Sequence, residues 1–412
     1  MREHPVVPKG SAEEGKVPKL SFGSQGGKTN LILFLSLLSV GVVLLGHLVG
    51  QSVAPLNKTR MIFATFNLLL VLVGFILLPR PRYASFWGNA VVRALQALAF
   101  AYLLNLMLLT LLDPAATKAA LVALDSTLAI AEPERSYAAD CRLYTPENPH
   151  SRFNNLRESL DIFVTSHLIG WAVKAFIFRN NALTWTLSVA FELFELSLRH
   201  WLPNFHECWW DHLFLDLFGC NLLGILLANY LMTRWGLQRF HWFYEPSSRS
   251  QKMGWFRRFW HSFTEMEPAI RERRWHWLVS PGNFLTVSWL AVINSLTDLS
   301  NFFNKKMLGI PPNHFLLAVR VWILGWYSVV VVRDIYHYTH DAYPARKLPF
   351  SVYLSHAILL LEVLLLAKNF NPQYFTAKTP PLVITFWSVV LCLWFFLLVL
   401  SIRNSKTKIA KN

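Results

Sequence analysis

Five carboxylates and an amide gather within a short, otherwise apolar stretch: Glu192, Glu195, Asn204, Glu207, Asp211 and Asp216. They sit in Phe191-Glu-Leu-Phe-Glu195 and Leu202-Pro-Asn-Phe-His-Glu-Cys-Trp-Trp-Asp-His-Leu-Phe-Leu-Asp216. A charge at the centre of a bilayer costs at least about 2.5 kcal/mol, so acids there usually line a pocket or pathway. Clustered carboxylates repel one another and are driven to protonate. A divalent cation removes that penalty, and an all-oxygen set suits a hard ion: calcium with roughly 6–8 oxygens, magnesium with fewer. The alternative is a set of acids paired with the intramembrane bases Arg199, Lys174 or His200. Zinc, which His206, Cys208 and His212 among the acids could suggest, is disfavoured, because His206 and Cys208 diverge on a helix and no second Cys/His pair follows.

Spacing groups these residues by face. Glu192 and Glu195 are i, i+3 neighbours. Asn204, Glu207 and Asp211 follow at i, i+3, i+7, one face if the helix begins that early, with Asp216 rotated to its side. His167, in Thr165-Ser-His-Leu-Ile-Gly-Trp171, stands in an apolar run with no carboxylate near it in sequence. A reference pKa of about 6.5 suits it to accept and return a proton. A hydrogen-bonded core histidine is the alternative. Trp209 and Trp210 read as anchors at the membrane interface.

The elements that position these groups are membrane helices. The chain has 412 residues, 54% hydrophobic and 15% charged, against about 25% charged in soluble domains. Apolar runs of about 20 residues, enough to cross a bilayer, recur along the sequence. The expected fold is an all-α polytopic membrane protein of about ten transmembrane helices, near 31–54, 60–78, 87–113, 159–178, 182–201, 208–235, 283–304, 314–338, 349–369 and 380–402. Residues 1–29 and 403–412 then form tails flanking a single transmembrane catalytic domain, 30–402, with a luminal loop at 114–158 and a basic cytosolic segment at 236–281. The polar first 29 residues lead to no expectation of a cleaved signal peptide.

The formal charge of +15 lies in tails and loops rather than in one patch, which excludes nucleic acid as the favoured partner and fits the positive-inside rule. Lys9, Lys16, Arg239, Arg257, Arg273, Arg403 and Lys406 then put both termini in the cytosol. Lys305 and Lys306 run against that rule. Four cysteines, Cys141, Cys208, Cys220 and Cys392, show no disulfide-framework spacing. In this topology His167, Glu192, Glu195 and the 202–211 turn reach one depth in the luminal half.

The stretch from Asp161 to Gly224 resembles the eukaryotic base-exchange phosphatidylserine synthases. Ser166-His-Leu-Ile-Gly-Trp-Ala-Val-Lys174, Glu192-Leu-Phe-Glu-Leu196, Glu207-Cys-Trp-Trp-Asp211 and Cys220-Asn-Leu-Leu-Gly224 carry the likeness. It continues more weakly through Leu296-Thr-Asp-Leu-Ser-Asn301 and Val332-Arg-Asp334. The resemblance implies exchange of the headgroup of phosphatidylcholine or phosphatidylethanolamine for L-serine, with Ca2+ and no nucleotide. It implies His167 as general base, some of Glu195, Asn204, Glu207, Asp211 and Asp216 as calcium ligands, and Glu192 orienting His167 or binding the serine ammonium. It also implies the endoplasmic reticulum membrane, often as a homodimer. Two departures stand out: His206, where the family has a small or amide residue, and Arg80-Pro-Arg-Tyr83 in place of Arg-Pro-His-Pro.

Three rival classes fit the sequence less well. CDP-alcohol phosphotransferases need an Asp-Gly motif, which this chain lacks. A membrane-bound O-acyltransferase would not need the acids. An ion or metabolite transporter explains intramembrane acids, but neither inverted repeats nor broken helices are visible. Threonine as the incoming alcohol stays open, because a single methyl group is worth only about 1–3 kcal/mol in a pocket.

Overall fold

The structure, a computed structural model, describes residues 58–79, 86–130, 136–147, 151–160, 162–235, 237, 239–243, 276–340 and 347–409. The expected span 31–54, the first tail, Arg80-Pro-Arg-Tyr83 and most of segment 236–281 lie outside them. Among the described residues the chain is helical, without β-strands: α1 Lys58–Leu77, α2 Phe86–Leu111, α3 Pro114–Leu124, α4 Asn154–Ser159, α5 Ile162–Phe178, α6 Asn181–Leu198, α7 Asp211–Arg234, α8 Pro281–Leu308, α9 Phe315–His340, α10 Phe350–Lys368 and α11 Pro381–Ile409. Five have the length and apolar composition to cross a membrane: Ala90–Leu111 of α2, α7, α9, α10 and Pro381–Lys406 of α11.

Two departures from the sequence expectation concern boundaries. The region read as a luminal loop begins with α3, where Asp113 caps the helix by accepting from the Ala116 N–H and Pro114 opens it. Proline at the first position loses nothing, since that N–H has no helical partner. At the other end, α11 runs on to Ile409 rather than stopping near 402.

Two large packed groups share α8 and α9, and a smaller third sets α1 against α2. One core combines Trp171 and Phe178 of α5, Leu187 and Phe191 of α6, Ile225 and Met232 of α7, and Tyr336 of α9. The other combines Ala99 and Leu106 of α2, Tyr327 of α9 and Ile358 and Leu365 of α10. At the second, Arg320 of α9 meets Glu362 of α10 through two hydrogen bonds of 2.8 and 2.6 Å. Tyr102 of α2 and Ser300 of α8 each donate to the same carboxylate at 2.6 Å. A buried pair stays ionised only when its remaining polar atoms are also bonded, and here α2 and α8 supply those partners.

The α5–α6 connection sets the depth of the site. Arg179 takes a left-handed φ of 47°, and Asn180 then caps α6 by accepting from the Leu183 N–H at 3.0 Å. The chain therefore reverses within two residues. His167 stands twelve residues before Arg179 and Glu192 thirteen after it. At about 1.5 Å rise per residue, both arrive at one level.

Gly224 brings α7 against α5. A Cβ there would collide with the carbonyl oxygen of Leu168, the residue after His167, and lie 3.1 Å from the Ala172 nitrogen. Gly224→Ala should force the two helices apart, costing about 1–3 kcal/mol as overpacking does. Thermal unfolding of the detergent-solubilised variant checks this, and an unchanged midpoint would contradict it.

Candidate active site

The first part of α7, Asp211–Asn221, is wound as a π-helix. Such turns close on the fifth residue rather than the fourth, and they occur frequently at functional sites. Residues five apart, Asp211 and Asp216, are thereby brought toward one face. This corrects the reading of Asp216 as rotated to the side, which assumed α-helical winding. The helix also starts later than the i, i+3, i+7 pattern required. Pro203–Phe205 is a short 3-10 turn, and Glu207 lies in the extended connection before α7.

Asp216 consequently meets His167, with His167 Nδ1 3.2 Å from Asp216 Oδ1. The contact has ion-pair distance without hydrogen-bond alignment, so Nδ1 also counts as unbonded. Catalytic bonds in ligand-free sites are often loose in this way and tighten when substrate binds. Glu192 does not touch His167 here. Its Oε2 lies 3.1 Å from His212 Nδ1, and Asn221 donates to its Oε1 at 3.1 Å while also holding Ser188 at 3.0 Å.

His212 is the residue that sequence reasoning undervalued, having weighed it only as a zinc ligand. Its Nδ1 also lies 3.5 Å from Glu195 and 3.7 Å from Glu207. Two sets of ligand atoms fall within 4.8 Å of one another: Glu192, His212 and Asp216, and Glu195, Glu207 and His212. A nitrogen facing three carboxylates carries the proton and donates, which fixes its role from its partners. It then offers no lone pair to a metal. The oxygens remain for that.

Those oxygens have an unmet need. Glu195 Oε2 and Glu207 Oε2 are buried without a hydrogen-bond partner. Burial, and then the charges of Glu195 and Asp216, push the Glu207 carboxyl up to about 10. Buried acceptors are almost always satisfied, so two orphaned carboxylate oxygens beside further acids fit a hard cation. Asp211 is buried and accepts from Ser159 at 2.9 Å. Asn204 is half-buried on the 3-10 turn; Asp211 belongs to neither of the two compact ligand sets. Lys174, one of the bases offered as an alternative partner, pairs instead with Asp298 at 2.8 Å. His200 rests against Trp201.

A covalent link closes the site from outside. Cys141 and Cys208 form a disulfide across 67 residues, which two isolated cysteines in the sequence did not signal. Trp209 is exposed, as an interface anchor would be. Trp210 is buried instead and donates to the Cys141 carbonyl at 3.1 Å. His206 points away from the acids, its Nδ1 3.1 Å from Ser136 Oγ.

The arrangement is a histidine–carboxylate pair beside a cluster of buried carboxylates at one end of a helical bundle. Comparison with known proteins gives it a context. A family model described as phosphatidyl serine synthase matches residues 88–370. A rice protein named CDP-diacylglycerol–serine O-phosphatidyltransferase 2 is 38% identical over 319 residues, 76% of this chain and 74% of its own length. An Arabidopsis thaliana protein named CDP-diacylglycerol–serine O-phosphatidyltransferase 1 is 34% identical over 82% of this chain and 77% of its own. Human phosphatidylserine synthase 2 is 29% identical over 92% of this chain and 78% of its own.

Proposed function

This chain belongs to the phosphatidyl serine synthase family, and from that premise we propose that it is a calcium-dependent base-exchange enzyme. It is a transferase that makes phosphatidylserine from serine and a phospholipid in a bilayer. The finer reading is that the donor is phosphatidylcholine or phosphatidylethanolamine, whose headgroup L-serine replaces. The observation that carries it is the His167–Asp216 contact beside the orphaned oxygens of Glu195 and Glu207.

With Nδ1 turned to Asp216, His167 keeps Nε2 for substrate. It takes the proton from the serine hydroxyl, and the serine oxygen forms a bond to the phosphodiester phosphorus. The bond from phosphorus to the choline or ethanolamine oxygen breaks. His167 returns the proton to that oxygen, so no nucleotide is consumed. Glu195, Glu207 and Asp216 would hold Ca2+, with Asp211 and Asn204 contributing from the same turn. The ion, when bound, supplies positive charge against the phosphoryl oxygens. His212, donating to Glu192, offsets part of the acidic charge and keeps that carboxylate directed.

The reading includes ten spans: the nine long helices α1, α2 and α5 to α11 among the described residues, plus 31–54. Both termini face the cytosol and the site faces the lumen of the endoplasmic reticulum. A disulfide at the site end supports this, because such bonds persist in oxidising compartments. The opposite ends of α5, α7 and α9 carry Arg179, Arg234 and Arg333, as the positive-inside rule asks.

The relatives' names divide on the donor, since the plant proteins are named for CDP-diacylglycerol. The absence of Asp-Gly from this chain favours base exchange. The test gives purified protein labelled serine with phosphatidylcholine, phosphatidylethanolamine or CDP-diacylglycerol, with calcium or a chelator. Calcium-dependent phosphatidylserine from either of the first two is expected. Product from CDP-diacylglycerol alone would overturn base exchange, and calcium-independent product would overturn the ion.

A further inference from the structure

Residues 136–147 form no helix and lie over the acidic turn. Four bonds tie the two together. They are the Cys141–Cys208 disulfide, the Trp210 indole N–H to the Cys141 carbonyl at 3.1 Å, the Tyr137 N–H to the His206 carbonyl at 3.0 Å, and Ser136 Oγ with His206 Nδ1 at 3.1 Å. Each falls on a residue within three positions of Glu207.

The strap is anchored again on its far side. The Asn155 amide donates to the carbonyls of Asp140 and Arg142 at 3.0 and 2.8 Å. Asn155 belongs to α4, and Ser159 at the end of that helix donates to Asp211 at 2.9 Å. The loop is itself braced by the Asp140–Arg142 ion pair at 2.7 Å, whose guanidinium holds the Asp140 carboxyl well below the usual range. Glu207 and Asp211 are thus gripped from both sides by one segment. Glu207 needs such a grip, because it sits between a 3-10 turn and the start of α7, where no helical ladder fixes its backbone.

We propose that the Cys141–Cys208 disulfide, with Ser159 and Trp210, is a positioning clamp that holds the acidic turn in its cation-binding geometry. The proposal rests on the ion-site reading above. Partners that orient metal ligands without touching the metal are typically worth about 10–100-fold in affinity. Cys208 is buried and adjoins Glu207, so opening the bond frees the backbone that aims this carboxylate.

The test uses full-length protein in detergent–phospholipid micelles. A dithiol transfers two electrons and two protons to the bond, leaving two cysteine thiols and a cyclic disulfide, and mass spectrometry verifies the opening. Reduction should raise the calcium needed for half-maximal serine transfer on the order of 10–100-fold. Calcium binding measured by titration calorimetry should weaken by the same factor. KM for the phospholipid should stay constant, and reoxidation should restore both values. The Cys141→Ser/Cys208→Ser double variant should start in the weakened state and ignore the dithiol. Unchanged calcium binding and half-saturation after verified opening would overturn the clamp, as would free thiols at Cys141 and Cys208 in the native protein, beyond those of Cys220 and Cys392. If native protein neither binds nor needs calcium, the ion reading falls separately. The clamp then stands only if reduction reversibly slows serine transfer in native protein and not in the double variant; equal rates would reject it.

Discussion

The His167→Ala protein should bind calcium with near-native affinity and lose serine transfer by about 100- to 10,000-fold, the usual worth of a positioned general base. A serine hydroxyl does not ionise near neutral pH unaided, so its nucleophilicity depends on a base within hydrogen-bond reach. His167 combines three properties that suit it. It is half-buried at the level of the acids, its Nδ1 faces Asp216 at 3.2 Å, and α5 is seated against α7 where Gly224 allows close approach. The loss should fall on kcat rather than on KM for the phospholipid, since the histidine acts on a proton in transit. Turnover within tenfold of wild type, with the variant folded and loaded with calcium, would remove His167 from the chemistry. Asp216→Asn should lower activity through the same histidine, and should also weaken calcium, because Asp216 belongs to both relationships.

Glu195→Gln and Glu207→Gln should separate from that pattern. Each keeps the side chain's size and one oxygen but removes the negative charge. Both residues carry a buried oxygen that lacks a hydrogen-bond partner, which a hard cation would satisfy. Losing a direct ligand should cost at least the roughly 10–100-fold that outer partners cost. The calcium concentration for half-maximal activity should therefore rise by that factor or more, with much of kcat recovered at saturating calcium. Calcium titrations that superimpose on wild type would sink the ligand assignment. Without calcium, burial and the neighbouring acids already favour the protonated Glu207 carboxyl, which a neutral amide mimics, so Glu207→Gln should not lose thermal stability when calcium is absent.

Much of this site was legible in the sequence, because acids in an apolar run are costly and hence conspicuous. Glu192, Glu195 and His167 could be set at one depth from span lengths alone. The two-residue reversal at Arg179 and Asn180 sets His167 and Glu192 at one level along α5 and α6. What the sequence could not disclose is how α7 is wound. Hydrophobic periodicity does not distinguish four-residue from five-residue closure over eleven positions, so Asp216 reads in the sequence as joining the acids only from the side, and the contact of Glu192 with His212 gives no sign of itself. The role of His212 follows from the same winding, which turns its Nδ1 toward Glu192, Glu195 and Glu207. Cys141 and Cys208 are too far apart in sequence to be read as a pair, and Trp210 carries no sign that its indole turns inward. The Arg320–Glu362 pair was equally invisible, since its two charges lie in separate apolar runs that look alike. The Asp113-Pro114 start of α3 was a readable signal that the loop assignment passed over.

Base exchange replaces one headgroup with another on a single phosphorus. The most direct measurement supplies phosphatidylcholine or phosphatidylethanolamine labelled at phosphorus and, separately, in the headgroup, together with serine and calcium and without nucleotide. Labelled phosphorus should appear in phosphatidylserine one for one with free choline or ethanolamine. Phosphatidylserine that forms without that phosphorus, or only when CDP-diacylglycerol is added, would contradict it.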